Sequence, residues 1–460
     1  MPHDDVTADA LPEKVDEPYR DPAPPPPLTL PRSVTSFGLN AIVLGIVLAT
    51  FWYLRSRQNP MNNELLILAG AVAIPILFFD VVFLKVHRRA TTGLDWDKPF
   101  APNFARIATK LVGFVATIAP FALAYWVFPE YAGSFYSPLW NLLYRFALSL
   151  AIAIPLYMTI VDGQMKEPYD AYWQLGRVIL FSPKDANRND IANHYRGWLV
   201  KAFFFPLMYV WLNNSTHNTV TYDLSHASWS NLRAYDFLYE FIFFIDLLFT
   251  TVGYALSMRP FDTHIRTAEP TFLGWGVALF CYQPFYSQFE RQYVHYDHTQ
   301  FGAWLGHHEG MRWAWAIAIL LLITIYSLAT VAFGVRFSNL THRGVLTNGP
   351  FRFTKHPAYV SKNLSWWLVS VPFVVVDSNP WMSVKHCIGL GLVNFMYFMR
   401  AKTEERHLSR DPKYVQYALW MNENGVLRFL NRIPIFKYKP PTELRYATSG
   451  GEKTYTGEAD

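Results

Sequence analysis

The stretch LLILAGAVAIPILFFDVVF, residues 65–83, contains one charged side chain, Asp80, and is otherwise almost entirely apolar. A helix that crosses a bilayer needs about 20 predominantly apolar residues, so this stretch predicts a membrane span. The sequence contains ten candidates of this kind, which begin near Thr35, Leu65, Ile107, Leu139, Trp198, Phe237, Thr271, Arg312, Asn363 and Met382. The predicted fold class is therefore all-α, a polytopic integral membrane protein with about ten transmembrane helices.

Two of these candidates are weaker than the others. The fifth, residues 198–212, is short, and the seventh, residues 271–289, contains Gln283, Pro284 and Gln288. Either segment could be re-entrant or interfacial instead of spanning. The large loop that precedes the fifth candidate, residues 161–197, has equal numbers of acidic and basic residues and is predicted to fold against the membrane surface.

The positions of the basic residues predict the orientation. The loop after the third candidate has a single charge, Glu130, whereas the loop after the second carries Lys85, Arg88, Arg89, Lys98 and Arg106. The positive-inside rule places the basic loop in the cytosol. Counting onward then places both termini in the cytosol, with Arg55 and Arg57 outside as exceptions.

Composition supports a membrane protein and excludes several other classes. Hydrophobic residues make up 52% and charged residues 16% of the 460 residues, against roughly 25% charged residues in soluble domains. The net charge of +5 is too small to indicate nucleic-acid binding. The two cysteines, Cys281 and Cys387, lie in apolar segments, so neither a disulfide framework nor a Cys-x-x-Cys metal pair is expected.

The chain divides into four predicted regions. Residues 1–34 are acidic and proline-rich and are predicted to be disordered. Residues 35–310 form an N-terminal transmembrane bundle of about seven helices. Residues 311–436 form a C-terminal membrane domain that carries the candidate site, and residues 437–460 form a flexible tail.

The most informative polar stretch is GPFRFTKHPAY, residues 349–359, which directly precedes an apolar segment. Its opening Gly-Pro is typical of a turn, and Pro357 suits the first turn of a helix, where a missing N–H costs nothing. Free backbone N–H groups and the positive end of the helix dipole would then favour a bound carboxylate or phosphate. Arg352 and Lys355 add positive charge beside this helix start.

A second polar cluster, RAKTEERH at residues 400–407, follows the last candidate span. Two antiparallel helices of similar length would return Arg400 to the membrane depth of His356, because each residue adds about 1.5 Å. Arg400 and Glu404 share a helical face, whereas Glu404 and Glu405 point about 100° apart. We therefore expect one glutamate to pair with Arg400 and the other to reach a ligand.

These motifs together resemble one family of integral membrane enzymes. The 349–359 stretch, the apolar hairpin, R-x-x-x-E-E from Arg400 and the DPKYVQY segment at 411–417 are similar to the isoprenylcysteine carboxyl methyltransferase and phospholipid N-methyltransferase family, over residues 336–434. The resemblance implies S-adenosylmethionine as cofactor, with Arg400 and Glu404 as catalytic residues. By resemblance, His356, Pro357 and Tyr359 line the cofactor, and Arg400, Glu404 and Glu405 close its site. The full set of predicted cofactor-binding residues is Gly349, Pro350, Arg352, Lys355, His356, Pro357, Tyr359, Glu404 and Glu405.

The resemblance implies methyl transfer to a lipid-like or prenylated membrane substrate at the cytosolic face. The predicted location of the chain is a bacterial inner membrane, with the site facing the cytosol. The implied partners are that lipid or lipidated substrate and the bilayer, without nucleic acid. Two residues depart from the family pattern. Lys355 replaces the usual arginine, which keeps the charge but loses the fork geometry. Lys362 lies where small residues are usual, so the sequence leaves the methyl acceptor open.

Two other functions remain open at this point. An NADPH-dependent sterol-type reductase has a similar C-terminal half, and the Trp366-Trp367 pair is like one found in related reductases. A hydride reaction would need a tyrosine or acidic proton donor deep beside a sterol pocket. The third possibility is a non-catalytic scaffold or transporter with a degenerate cofactor fold.

Isolated polar residues have structural interpretations that compete with functional ones. Asp80, Arg145, Asp246 and Glu240 lie within apolar segments, where such residues are costly and mark either function or internal pairing. Pairing between helices is the favoured interpretation. The histidine-rich stretch 290–309 matches no metal-binding spacing, and no metal site is predicted there.

Overall fold

The computed structural model describes residues 28–57, 63–225, 232–283, 285–289, 300–375 and 378–441. This part of the chain is mostly helical, with one small antiparallel sheet that pairs β1 (Thr267–Ala268) with β2 (Thr341–His342). The helices are α1 (Phe37–Ser56), α2 (Glu64–Val82), α3 (Phe104–Val127), α4 (Ser137–Gln164), α5 (Ala171–Ile179), α6 (Arg188–Thr221), α7 (Arg233–Ala255), α8 (Phe272–Phe280), α9 (Phe285–Phe289), α10 (Phe301–Trp304), α11 (Glu309–Phe333), α12 (Pro357–Ser370), α13 (Pro380–Leu408) and α14 (Pro412–Asn424).

Within the described residues, six helical segments are long and apolar enough to cross a membrane, namely Phe37–Ser56, Glu64–Val82, Phe104–Val127, Ser134–Gln164, Arg233–Ala255 and Glu309–Arg336. They confirm the all-helical class and the membrane character, but not the count of ten. Helix α8 has nine residues and α12 has fourteen, fewer than the roughly 20 that a crossing needs. Helices α6 and α13 are long, with 34 and 29 residues, but less apolar.

The fifth candidate is longer than the sequence analysis predicted. Helix α6 begins ten residues before Trp198, at Arg188, and continues beyond Leu212 to Thr221. The Asn187 side chain caps its start by accepting a hydrogen bond from the amide of Asn189. The prediction was wrong because hydropathy detects only the apolar middle of a helix whose first and last turns are polar.

The loop 161–197 is partly helical and is packed against the bundle through α5 and α3. A Cβ atom on Gly113 would lie 1.8 Å from the carbonyl oxygen of Tyr172, and one on Gly176 would lie 2.0 Å from that of Thr109. Both distances are far below van der Waals contact. The two helices therefore approach each other backbone to backbone, which only glycine permits at these positions.

The centre of the bundle is an apolar cluster contributed mainly by α1, α2 and α7, with fully buried Phe51, Leu68, Phe244 and Leu248, and Val331 of α11 also belongs to it. Asn40 on α1 donates a hydrogen bond of 2.8 Å to the carbonyl oxygen of Val331 on α11. Helix α11 also packs against α12. The predicted boundary between residues 310 and 311 therefore does not separate two packed units.

Two acidic residues within the spanning helices have internal partners. Asp80 on α2 forms an ion pair of 2.7 Å with Arg336, and both side chains are buried. Asp246 on α7 accepts hydrogen bonds from Tyr326 at 2.7 Å and from Thr330 at 2.5 Å. Arg145, by contrast, is exposed and donates to the side chain of Asn63.

Both predicted tail boundaries need correction. The amide of Val34 donates to the carbonyl oxygen of Val345 at 3.0 Å, and Thr347 Oγ1 donates to the carbonyl oxygen of Pro31 at 2.8 Å. At the other end, Tyr438 is buried. Residues 28–34 and 437–441 thus belong to the packed structure, whereas residues 1–27 and 442–460 lie outside the described residues.

Candidate functional site

The site begins where a short 3-10 turn leads into α12. The turn, Gly349–Arg352, places Pro357 at the first position of the helix, as the sequence predicts. His356 precedes the helix in a non-helical conformation, and its side chain does not cap the helix. Its imidazole is therefore available to contact α13.

Helix α12 ends earlier than the predicted hairpin requires. It stops at Ser370, and Val371 follows in the left-handed region with a φ of 37°. Helix α13 then starts at Pro380, capped by the Asn379 side chain. The two polar clusters nevertheless meet, since His356 Nε2 lies 3.3 Å from Glu405 Oε1.

Glu405 is the centre of a buried charge cluster. Its carboxylate lies 2.5 Å from the ammonium of Lys355, 3.0 Å from that of Lys402 and 3.3 Å from His356. Burial by itself would raise the pKa of Glu405, but the hydrogen bond from His356 and the nearby ammonium groups of Lys355 and Lys402 hold that pKa well below its usual range. Burial lowers the pKa of Lys355, while Glu405 opposes that shift. The cluster therefore carries a positive excess around one carboxylate.

Glu404 points to a different environment from its neighbour. Its Oε2 accepts a hydrogen bond of 2.7 Å from the hydroxyl of Tyr359. The divergence of the two glutamates agrees with the angle of about 100° between consecutive side chains of a helix. The two carboxylates are thus not interchangeable.

Arg400 does not pair with a glutamate in the described part of the chain, so that expectation was wrong. Its guanidinium donates to Asn339 and lies over the rings of Tyr359, Tyr282 and Tyr397, at 5.1, 5.7 and 5.9 Å from their centroids. The side chain is buried, and an aromatic cage of this kind stabilises a desolvated cation. Helical spacing places Arg400 and Glu404 on one face but does not determine which side chains from other helices intervene.

Three cavities in the described part of the chain adjoin these clusters, and one of them, of about 850 Å³, is lined by Lys402, Glu405 and residues between Ile435 and Pro441. The outer cavity, of about 260 Å³, is lined by aromatic and amide side chains and by Lys402 and Glu405. The inner cavity, of about 110 Å³, is lined by Arg400, Glu404 and several tyrosines. The side chains that line both the outer and the inner cavity are Lys355, His356, Tyr359 and Tyr397. The two glutamates therefore face separate chambers on either side of a shared wall.

Seven of the ten predicted site residues line the outer cavity, the inner cavity or both, but three line neither. Pro357 lines the inner cavity. Of the residues that the structure describes, Gly349, Pro350 and Arg352 line neither cavity. Gly349 has a φ of +53° and packs against the ring of Phe37, and Arg352 is exposed. These three residues form the turn before α12 and do not contact the chambers.

Several residues at the site were not predicted from the sequence. Lys402 lies three residues from Glu405, a spacing that could have identified it. Asn363 and Asn394 lie within apolar helices and hydrogen-bond to each other at 2.7 Å at the edge of the outer cavity. Polar residues in such segments are a recognisable functional signal.

Lys362 lines the inner cavity, whereas the sequence predicted only that it lies near the site. Its ammonium lies 4.9 Å from the ring centroid of Tyr326 and 5.4 Å from that of Trp366. Tyr326 also lines this cavity and donates to Asp246. The inner cavity therefore contains a tyrosine with a carboxylate partner and a nearby lysine.

Among the described residues, no group of three or more histidine, cysteine or acidic side chains is placed to hold a metal ion. His295, Asp297 and His298 lie outside the described residues, and His307 and His308 are exposed. No protein-family model, curated protein or solved structure matches this chain.

Proposed function

We propose that this chain is an integral membrane methyltransferase that binds S-adenosylmethionine in the outer cavity and acts on a lipid-like or prenylated substrate. The observation that carries the proposal is the positive cluster around Glu405, which adjoins an aromatic, amide-lined cavity. This combination offers cations for a carboxylate, ring faces for a sulfonium and amides for a nucleoside. When bound, the cofactor supplies an already activated methyl group.

The residues of the chain divide into binding and positioning roles. Lys402, whose side chain is 28% exposed, is the cation best placed to move from Glu405 to a ligand carboxylate. Tyr359 and Tyr397 present rings at the shared wall, and Asn363, Asn394, Asn422 and Asn431 present amides. Arg400 and Glu404 hold the inner face of that wall through Tyr359. Their proposed task is to orient the reacting groups and to exclude water.

The membrane arrangement is part of the same proposal. Helices α6 and α13, which are long enough to cross, would add to the six apolar spans, and α8 and α12, which are too short to cross by themselves, would enter the bilayer as partial segments. The total would be about ten membrane segments, with both termini and the site in the cytosol of a bacterial inner membrane. The support is the excess of basic residues at this end, including Lys85, Arg88 and Arg89 after α2.

A second function has one specific observation in its favour. A sterol-type reductase that uses NADPH needs a proton donor beside its substrate. Tyr326 lines the inner cavity, and its hydroxyl donates to the buried Asp246. This pair is the kind of donor that the sequence alone could not locate. A non-catalytic scaffold has no such observation in its favour.

The proposal is tested by calorimetric titration of the detergent-purified protein with S-adenosylhomocysteine and, separately, with NADPH. Saturable binding of S-adenosylhomocysteine alone supports the methyltransferase. Lys402→Gln should weaken it by about tenfold or more, because a hydrogen bond to a charged group contributes roughly 1.5–3 kcal/mol. Lys166→Gln, at an exposed position of another loop, is the matched control. Binding of NADPH alone would favour the reductase.

A further inference from the structure

Exposed apolar side chains surround the mouth of the outer cavity. The segment 426–439 is here called the C-terminal lip. The exposed apolar side chains are those of Val426, Phe429, Ile433, Ile435 and Phe436 in the lip and of the adjacent Phe353, with exposed fractions between 38% and 63%. The amide of Val426 donates to the carbonyl oxygen of Phe353 at 2.9 Å, so the two parts are adjacent. An apolar surface of this extent marks an interaction site.

The same surface is strongly basic. Arg428, Arg432, Lys437 and Lys439 are exposed, and residues 425–441 contain no aspartate or glutamate. Apolar and aromatic side chains with interspersed lysine and arginine are typical of segments that lie in the headgroup region of a bilayer and attract anionic lipids.

The lip is held in a fixed conformation. Asn431 donates to the carbonyl oxygen of Asn422 at 2.8 Å, and Asn422 donates to the carbonyl oxygen of Tyr438 at 2.9 Å. The hydroxyl of Tyr438 lies 2.7 Å from the hydroxyl of Ser409 on α13. The fold of this segment therefore fixes its apolar side chains in exposed positions.

The position of the lip relative to α13 indicates which part of the bilayer the lip faces. Trp381, Val384, Ile388, Leu392 and Phe395 are exposed and, by their spacing, form one stripe along α13. One turn further, the ring of Phe398 lies 5.6 Å from that of Phe436 in the lip. From Trp381 to Phe398 the helix rises about 26 Å, close to the roughly 30 Å thickness of the hydrocarbon layer. The lip thus lies at the edge of that layer.

We propose that the C-terminal lip is a membrane-surface anchor that binds the adjacent leaflet and prefers anionic lipids. Its apolar side chains enter the boundary between headgroups and acyl chains, and its four basic side chains contact lipid phosphates. Leu427, Leu430 and Phe436 also line the outer cavity, so the anchor holds the mouth of that cavity at headgroup level. This inference does not depend on methyl transfer.

The test places a nitroxide label at Phe429→Cys in a chain whose native cysteines are replaced, Cys281→Ser and Cys387→Ala. The protein is reconstituted in nanodiscs of phosphatidylcholine alone or of equal parts phosphatidylcholine and phosphatidylglycerol. Power saturation with oxygen and with a water-soluble nickel complex then reports the depth of the label. A label at Glu423→Cys, which is exposed outside the lip, is the matched control.

We expect the label at position 429 to be accessible to oxygen and protected from nickel, and the label at position 423 to show the reverse. Protection should be greater in anionic nanodiscs. Replacement of Arg428, Arg432, Lys437 and Lys439 by glutamine should abolish that difference, since each basic residue near an anionic surface changes binding by about fivefold. Equal nickel accessibility at positions 429 and 423 would overturn the proposal. Protection of the label at position 429 by a second copy of the chain would also overturn it, and a short distance between the labels of two copies would reveal that contact.

Discussion

Replacement of Glu405 by glutamine should destabilise the protein far more than the same replacement of Glu404. The Glu405 side chain is 7% exposed, and its partners Lys355 and His356 are each 14% exposed. Loss of its charge leaves the Lys355 ammonium buried without a counterion. The Glu404 carboxylate accepts one described hydrogen bond, from Tyr359, which a glutamine carbonyl can also accept.

The structure sets the size of the difference. Removal of one partner from a buried ion pair costs about 3–5 kcal/mol. We expect about 3 kcal/mol for Glu405→Gln, the lower end of that range, because Lys402 is 28% exposed and can turn to solvent. Glu404→Gln exchanges a charge-assisted hydrogen bond for a neutral one and should cost about 1 kcal/mol.

The free energy of unfolding is measured for both variants by titration with sodium dodecyl sulfate in mixed micelles. Circular dichroism of the untreated variants shows whether each retains its helices. Equal losses of stability for the two glutamine variants would refute the reasoning, because they would mean that Glu405 does not neutralise buried cations. Glu404→Ala should, in contrast, keep the fold but weaken binding of S-adenosylhomocysteine, because Tyr359, which lines the outer cavity, loses its hydrogen-bond partner. Unchanged affinity would contradict this positioning role of Glu404.

Three further predictions concern stability. Asp80→Asn should lower the free energy of unfolding by about 3 kcal/mol, because it leaves the buried Arg336 unpaired. Addition of Arg336→Met to this variant should restore part of the lost stability, measured by the same titration. Gly113→Ala should lower the melting temperature, because its Cβ would overlap a facing carbonyl oxygen, whereas Gly45→Ala, which meets open space, should not. Burial, reinforced by neighbouring cationic groups, lowers the pKa of His407 to about 4. Since the unfolded pKa is about 6.5, stability should fall by up to about 3 kcal/mol as the pH drops from 6.5 towards 4. A chain with His407→Gln should show a smaller fall in melting temperature over that range.

The sequence determined the local parts of the candidate site. The Gly-Pro turn and Pro357 predicted where α12 begins, and the structure has that start. The angle between consecutive helical residues predicted that Glu404 and Glu405 would face different surroundings, and they line different cavities. These features follow from backbone geometry within one helix or turn, so no distant part of the chain is needed to infer them.

Tertiary structure alone decided the partners of these residues. Helical spacing placed Arg400 beside Glu404, yet Asn339, Tyr282 and Tyr359 from other segments, together with Tyr397 of α13 itself, surround the guanidinium. The pairing of Tyr326 with Asp246 across α11 and α7 joins residues 80 positions apart. A periodic pattern gives the face of a helix but neither its rotation against its neighbours nor the side chains that they supply.

The same division applies to the whole fold. Runs of about 20 apolar residues determined that the chain is helical and enters a membrane, because a bilayer requires internally satisfied backbone hydrogen bonds. Hydropathy could not determine the 34-residue length of α6, the break between α8 and α9, or the docking of residues 28–34. The Asn187 side chain caps the start of α6 locally, whereas residues 28–34 are held by hydrogen bonds to residues that are distant in the sequence, such as that from Thr347 to Pro31.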